Sequence, residues 1–205
     1  MDNIARNIIN KFDNNSDSEI KEYCLKNSNN YDIIALNIHG DLNIGNMMRS
    51  ANLCGCRKFI IFGKKKYDKR SCVGVQNYLT IDRVCGNDLV DRLEKEDYYL
   101  DDKLFYDFII ENNYLPIFIE QDTKSIIAND SNIRSIINFT KDKNKIPIFI
   151  FGNEIIGIPE NILNTRDKFE DCYTLELKQK GAIVSYNVSN CFSIICYKIM
   201  ELTNN

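Results

Sequence analysis

The sequence predicts an α/β domain in which helices flank a mostly parallel sheet. The chain has 205 residues, of which 44% are hydrophobic and 27% are charged; this suits one globular domain and excludes a disordered or collagen-like chain. Short apolar runs rich in β-branched and aromatic residues alternate along it with segments of helical period. Strands that alternate with helices form βαβ units, whose strands are parallel.

The elements follow in chain order. Residues 1–30 mix polar residues with two small apolar groups and are expected to form a short helical appendage, ahead of a main domain over residues 31–205. Strands are predicted at Ile33–Leu36, Phe59–Phe62, Ile117–Ile119 and Ile148–Phe151. Helices are predicted at Asn46–Leu53 and Leu104–Ile110, and a last helix places Val188, Cys191, Phe192, Ile195 and Ile199 on one face.

Composition excludes several classes of protein. No apolar run approaches the roughly 18 residues of a membrane span, and the N-terminus lacks the layout of a secretory signal, so we expect a soluble, cytoplasmic protein. Eight cysteines without a C-x-x-C pair are expected to be reduced. They occur with a single histidine, His39, and we therefore expect no metal site.

The net charge of −3 does not by itself indicate a nucleic-acid partner, so any RNA site must be local. One basic stretch directly follows the predicted Phe59–Phe62 strand. Its cations are candidates for contacts with RNA phosphates, and solvated loop charges are an equally open interpretation. The candidates are Lys64, Lys65, Lys66, Lys69 and Arg70.

Three segments place glycines, amides and charges near predicted strand ends, where open α/β sheets bind ligands. In the first, a helix that begins near Asn46 would place Arg49 in its first turn, where an anion would have to offset the helix dipole; a capped helix with a solvated Arg is the alternative. In the second, Gly152 and Gly157 would let the backbone approach a planar ligand, or form an ordinary turn. In the third, Ser185 would cap the last helix and Asn187 would lie in its first turn.

Taken together, the three segments resemble the motifs of the SpoU/TrmH family of SPOUT RNA 2′-O-ribose methyltransferases, over about residues 33–200. The chain matches N-x-G-x-x-x-R-[ST]-A from Asn43 to Ala51, G-N-E-x-x-G-[IV]-P from Gly152 to Pro159, and G-x-x-x-S-[LY]-N-V-S from Gly181 to Ser189. Within the family it is most similar to the catalytic domain of the eukaryotic enzymes that methylate guanosine 18 of tRNA, through Glu120-Gln121, Lys124-Ser125 and Gln179.

The resemblance implies that S-adenosyl-L-methionine donates a methyl group to a ribose 2′-hydroxyl of RNA, with tRNA as the first choice and S-adenosyl-L-homocysteine as the product. It also implies a SPOUT fold with a C-terminal trefoil knot over about residues 148–200, and a homodimer whose site is completed near the subunit interface. The cofactor-binding residues that it carries over are Phe151, Gly152, Asn153, Glu154, Gly157, Ile158, Leu177, Gln179, Ser185 and Asn187.

The catalytic candidates are Arg49, Asn43, Glu154, Ser185 and Asn187. The acceptor hydroxyl must lie about 3–3.5 Å from the methyl group while it loses a proton. A guanidinium is a poor base, because its pKa exceeds about 12. We therefore expect Arg49 to hold an adjacent phosphate and to stabilise the developing alkoxide, while Asn43 and Asn187 orient the hydroxyl. The proton then leaves to a phosphate or to water.

Other interpretations stay open. A non-catalytic RNA-binding SPOUT protein would keep the fold and lose turnover; Lys178 and Val184 favour it, because they stand where the third motif usually has proline and arginine. Ribosomal RNA is the alternative substrate class. A nucleotide-binding oxidoreductase is disfavoured, because the first predicted strand is followed by Gly40 and Gly45 without a G-x-G-x-x-G triplet.

Overall fold

The computed structural model describes residues 7–38, 40–63, 67–84 and 100–203. The predicted RNA contacts Lys64, Lys65 and Lys66 lie outside these ranges, as do His39 and Cys85.

The sheet is parallel throughout. Within the described ranges it has seven strands in the order β3-β2-β1-β6-β4-β7-β5. The four predicted strands are confirmed as β2, β1, β6 and β4, which are neighbours at its centre. The bounds are β1 Asp32–Leu36, β2 Lys58–Phe62, β3 Thr80–Val84, β4 Tyr114–Ile119, β5 Ile126–Ile127, β6 Ile146–Phe151 and β7 Tyr173–Glu176.

Helices cover both faces of this sheet, and the three predicted ones are present as α2, α4 and α7. Side-chain caps fix where several of them begin: Asn129, for example, accepts a hydrogen bond from the Asn132 amide at 2.9 Å at the start of α5. Short 3-10 turns occupy Asn10–Phe12, Val75–Asn77 and Asn164–Lys168. The helices are α1 Asp17–Lys26, α2 Asp41–Leu53, α3 Lys69–Cys72, α4 Asp102–Glu111, α5 Asp130–Asp142, α6 Glu160–Leu163 and α7 Val188–Thr203.

Two apolar layers enclose the central strands, which explains their continuous hydrophobic sequence. On one face, α2, α5 and α7 pack through residues such as Met47, Ile133 and Phe192. On the other face, α4 and α6 pack through Phe105, Ile109 and Ile162. The predicted α/β class is confirmed by this arrangement, and the trefoil knot stays a prediction. None of the helices in the described ranges has the length and apolar character needed to cross a membrane.

A buried polar cluster joins the amino ends of the central strands. Asp32, at the start of β1, is fully buried, and its carboxylate accepts hydrogen bonds from Arg57 Nε at 2.9 Å and from the Tyr114 hydroxyl at 2.6 Å. Hydrogen bonding to Asp32 raises the pKa of Arg57. Burial and the same carboxylate raise the pKa of Tyr114 well above its ordinary value. Charge and hydrogen bonds are therefore satisfied together inside the core.

Tyr114→Phe is expected to lower the free energy of unfolding by about 1–3 kcal/mol, because it removes a buried hydrogen bond to a charged carboxylate. Denaturant titration measures the loss. Tyr106→Phe is the control, since the Tyr106 ring stacks on Phe169 and keeps that contact as phenylalanine. Equal stability of the Tyr114→Phe and wild-type proteins would show that the hydroxyl contributes nothing net.

Candidate functional site

A cavity of about 530 Å³ opens at the carboxyl ends of β4, β6 and β7. Parallel strands end there at Ile119, Phe151 and Glu176, so the segments that follow them meet at one edge of the sheet. Eight of the ten residues predicted to bind a cofactor line this cavity. They are Phe151, Gly152, Asn153, Glu154, Gly157, Leu177, Ser185 and Asn187.

The turn after β6 is held closed by its own backbone. The Asn153 amide donates to the Gly157 carbonyl at 2.8 Å, and the Gly157 amide donates back to Asn153 at 2.9 Å. The side chain of Asn153 is buried; it donates to the Asn37 carbonyl at 2.9 Å and accepts from the Ile155 amide at 2.8 Å. This turn therefore presents a fixed wall to the cavity.

Glu120 clamps the far end of the same turn. One carboxylate oxygen accepts from the Ile158 amide at 2.7 Å, and the other accepts from the Gln121 amide at 2.9 Å. Gly157 has a φ of +68°, and a Cβ on it would lie 2.4 Å from the Glu120 carboxylate. The motif glycine thus permits both the left-handed backbone and the close approach of the carboxylate. Sequence reasoning cited Glu120 for the resemblance alone and missed it as a site residue.

Hydrogen bonds between side chains join the three motifs at the rim of the cavity. Asn43 Nδ2 donates to Glu154 Oε1 at 2.5 Å, and the backbone amide of Gly40 donates to the same oxygen at 3.3 Å. Asn187 Nδ2 donates to Asn43 Oδ1 at 3.4 Å. The carboxylate orients the first amide, which in turn orients the second, so polar groups from α2, from the turn after β6 and from the cap of α7 meet at one point.

Asn187, rather than Ser185, caps the last helix. α7 begins at Val188, and Asn187 Oδ1 accepts from the Ser189 amide at 2.9 Å and from the Ser189 hydroxyl at 2.7 Å. The predicted cap at Ser185 is therefore wrong by two residues. Released from capping, Ser185 is exposed on the cavity wall.

Two of the predicted cofactor residues do not line the cavity. Ile158 is 2% exposed and packs in the core layer against α4 and α6. Gln179 follows the cavity-lining Leu177 by two residues, and its side-chain Nε2 is buried without a hydrogen-bond acceptor among the described residues. A buried donor without an acceptor is costly, so this nitrogen is a candidate to bind a group that the described residues do not supply.

Arg49 is not placed as the sequence predicted. α2 begins at Asp41, five residues before the predicted start, so Arg49 lies in its third turn and the helix-dipole argument does not apply. The residue is exposed and lines a second cavity of about 200 Å³, together with Phe12, Leu53 and Tyr78. Arg49 lies six positions after Asn43 in this helix. Their Cα atoms are therefore about 9 Å apart along the helix axis, and the two side chains point about 120° apart around it.

Among the described residues that line the cavity, Cys191 is the one cysteine, and it is poorly suited to act as a nucleophile. Cys191 lines the wall, where burial and the negative charge of Glu120 raise its pKa to about 12. The thiolate that a nucleophile requires is therefore scarce at neutral pH. The described ranges also contain no group of His, Cys, Asp and Glu side chains that could hold a metal ion.

Sequence comparison finds relatives among tRNA-modifying proteins. No family model matches the chain. It is 29% identical over 143 residues to a Listeria monocytogenes protein named as a candidate tRNA (cytidine(34)-2′-O)-methyltransferase, an alignment that covers 66% of this chain and 78% of the relative. A Listeria innocua protein with the same name is 28% identical over 140 residues, covering 64% of this chain and 76% of the relative.

Structural comparison also finds RNA-modifying enzymes. The TrmH/SpoU tRNA-modifying enzyme of A. aeolicus superposes with a TM-score of 0.66 at 16% identity, covering 92% of this chain and 82% of that one. An AdoMet-bound rRNA methyltransferase from Sinorhizobium meliloti superposes with a TM-score of 0.60 at 17% identity, covering 87% and 59%. The fold expected from the three motifs is therefore confirmed.

Proposed function

We propose that the chain is an S-adenosyl-L-methionine-dependent RNA 2′-O-ribose methyltransferase. The observation that carries the proposal is the hydrogen-bonded chain from Glu154 through Asn43 to Asn187 at the rim of the cavity. It joins one polar residue from each motif, an arrangement that separate turns and caps do not require. The 2′-O-methyltransferase names of the relatives support the same reaction.

The cavity suits the cofactor on three counts. Its volume falls within the range of small-molecule sites, and apolar Phe151 and Leu177 line it beside polar backbone. Gly152 allows two chain segments to approach closely there, since a Cβ would lie 2.2 Å from Gly157. The buried Nε2 of Gln179 is a donor in need of an acceptor. When bound, S-adenosyl-L-methionine supplies an electrophilic methyl group on a sulfonium centre.

The protein's own groups orient the acceptor. Glu154 holds the amide of Asn43, which in turn accepts from the amide of Asn187, and both amides are proposed to hydrogen-bond a ribose hydroxyl at the cavity rim. A positioned hydroxyl reacts faster because its translational and rotational freedom is already lost. Arg49 is proposed to hold a phosphate and stabilise the developing alkoxide. Since Arg49 lies on a different cavity within one chain, we propose a homodimer in which Arg49 of the partner subunit serves the site.

tRNA is the proposed substrate, and two positions are candidates. The resemblance to eukaryotic enzymes points to guanosine 18, and the names of the relatives point to cytidine 34. The test incubates the purified chain with S-adenosyl-L-methionine and unmodified total RNA, and maps ribose methylation by mass spectrometry, with Glu154→Ala as the inactive control. We expect a new 2′-O-methyl group in tRNA. Methylation of ribosomal RNA alone would correct the substrate, and cofactor binding without methylation of any RNA would favour the non-catalytic alternative.

Phosphate contacts are proposed for Lys69 and Arg70 in α3. Both are exposed, and α3 packs closely on α2: a Cβ on Gly45 would lie 1.8 Å from the Ser71 hydroxyl. The two cations therefore lie on a segment that packs against α2 at Gly45, within the first motif. Asp68 already pairs with Arg70 at 2.6 Å, yet the arginine side chain stays 91% exposed and available to a phosphate.

The double variant Lys69→Gln/Arg70→Gln is expected to reduce the magnitude of the slope of log Kobs against log[salt] for RNA binding by about 1.5 to 2. Fluorescence anisotropy at several salt concentrations measures the slope. Lys141→Gln/Lys145→Gln is the matched control. These residues lie shortly before β6, near the amino ends of the central strands, whereas the cavity lies at the carboxyl ends. An unchanged slope in the first pair would assign it to solvated loop charge.

A further inference from the structure

Acidic side chains line the cofactor cavity, and the described residues that line it include no basic side chain. Glu120, Glu154 and Glu176 contribute carboxylates to its wall, and no lysine, arginine or histidine is among the described residues that line it. All three side chains are partly buried. A methyl donor with a positive sulfonium therefore meets negative charge there.

Within the described ranges, no cation forms an ion pair with Glu120 or Glu176. Among the described residues, Glu120 accepts from two backbone amides, and Glu176 accepts from the Ser125 hydroxyl at 3.0 Å. Two neighbouring cations are already paired, Lys124 with Asp167 at 3.1 Å and Arg166 with Asp122 at 2.6 Å. Lys178 and Lys180, which follow Glu176, are exposed and do not line the cavity. Neutral donors stabilise a carboxylate without removing its charge, so the two glutamates retain their attraction for a cation.

The reaction removes the charge that this wall favours. With S-adenosyl-L-methionine bound, the bond from the sulfonium sulfur to the methyl carbon would break as the bond from the ribose oxygen to that carbon forms. The hydroxyl proton would pass to a phosphate or to water, and the sulfur would become a neutral thioether. Donor and product thus differ by one methyl group and one positive charge, and share their adenosine, amine and carboxylate. If a carboxylate of the wall is neutralised, the resulting change in the ratio of the donor and product affinities therefore measures the attraction between that carboxylate and the positive charge.

Resting on the proposed function, we infer that Glu120 and Glu176 make the site select the cationic donor over its neutral product. A sphere of this volume would be about 10 Å across, so a sulfonium near its centre would lie within the Debye length of about 8 Å from carboxylates on the wall and would still be attracted to them. The same selection speeds product release, because the attraction disappears once the methyl group has been transferred.

The test measures dissociation constants by isothermal titration calorimetry for S-adenosyl-L-methionine, S-adenosyl-L-homocysteine and sinefungin, an analogue that carries an amine in place of the methyl sulfonium. Glu176→Gln is expected to weaken the first ligand about 3- to 10-fold, given a charge pair at intermediate dielectric, and to change the second less than about twofold. Sinefungin is expected to follow the cationic donor. Glu111→Gln, exposed at the end of α4 and near the opposite sheet edge, is the control.

Glu120→Gln provides the second measurement. Its effect on the Ile158 amide weakens all three ligands, so the donor-to-product ratio is the quantity that counts, and we expect that ratio to fall as in Glu176→Gln. Unchanged ratios in both variants would overturn the inference and leave the methyltransferase proposal standing. Failure of the wild-type chain to bind any of the three ligands would overturn the proposed function, and this inference with it.

Discussion

Arg49→Ala is expected to lower kcat by about 100-fold or more, the size seen when one group that stabilises developing charge is removed. Binding of S-adenosyl-L-methionine is expected to stay within about twofold of wild type, because Arg49 does not line the 530 Å³ cavity. Tritium transfer to tRNA measures kcat, and calorimetry measures cofactor affinity. A large loss of affinity with kcat preserved would show that the residue belongs to the cofactor site.

A mixing experiment extends this prediction to the homodimer. Arg49→Ala and Glu154→Ala subunits are each expected to be inactive alone. If Arg49 of the partner subunit completes each site, random exchange makes half of the dimers mixed, and each mixed dimer has one intact site, so about a quarter of wild-type activity returns. Mixing that restores no activity, with subunit exchange shown by mass spectrometry, would place the arginine and the carboxylate in the same chain.

The centre of the fold was predictable because burial on both faces leaves a clear sequence pattern. β1, β2, β4 and β6 lie side by side, and each reads as an apolar run. Strands at the edges escape this pattern: β3 is only partly buried, and β5 has two residues. Edge strands need fewer apolar residues, so their sequences resemble loops.

The first turns of α2 were missed for a packing reason. Asn43 and Gly45 are poor helix formers, and on propensity the segment reads as a loop. In the structure Gly45 lies inside the helix. α3 passes so close to this residue that any side chain on it would collide with Ser71, which explains why glycine occupies the position. Tertiary contact overrides local preference, and it moves the start of the helix five residues earlier, so that Arg49 lies in the third turn instead of the first.

Most of the candidate site was predictable, because parallel strands bring the segments after them to one edge of the sheet. That rule, with the motif spacing, anticipated that Asn43, Glu154 and Asn187 would lie near one another. Neither the rule nor the motif spacing predicts that Glu120 accepts a hydrogen bond from the Ile158 amide, since a single carboxylate after a strand occurs in many structural settings. The rule and the spacing also do not predict which face of α2 carries Arg49.

Gly152→Ala is expected to raise the dissociation constant for S-adenosyl-L-methionine by about 5- to 150-fold, which corresponds to the loss of about 1–3 kcal/mol when one buried hydrogen bond to the ligand is no longer made. An added Cβ would lie 2.2 Å from the Gly157 carbonyl carbon and from the Ile158 nitrogen, both of them backbone atoms. The turn that walls the cavity must therefore shift as a whole. Calorimetry measures the loss of affinity.

The same methyl group is expected to cost about 1–3 kcal/mol of stability through overpacking, which for a chain of this length lowers Tm by roughly 2–12 °C. Gly181→Ala is the matched control: it adds the same group to the third motif, at an exposed position where a Cβ would meet nothing within 4 Å. If Gly152→Ala and Gly181→Ala bound the cofactor equally well, the turn after β6 would not be the wall that positions it. Loss of affinity in Gly152→Ala alone would tie recognition to the close approach of these two backbone segments, which is a property that only glycine at this position permits.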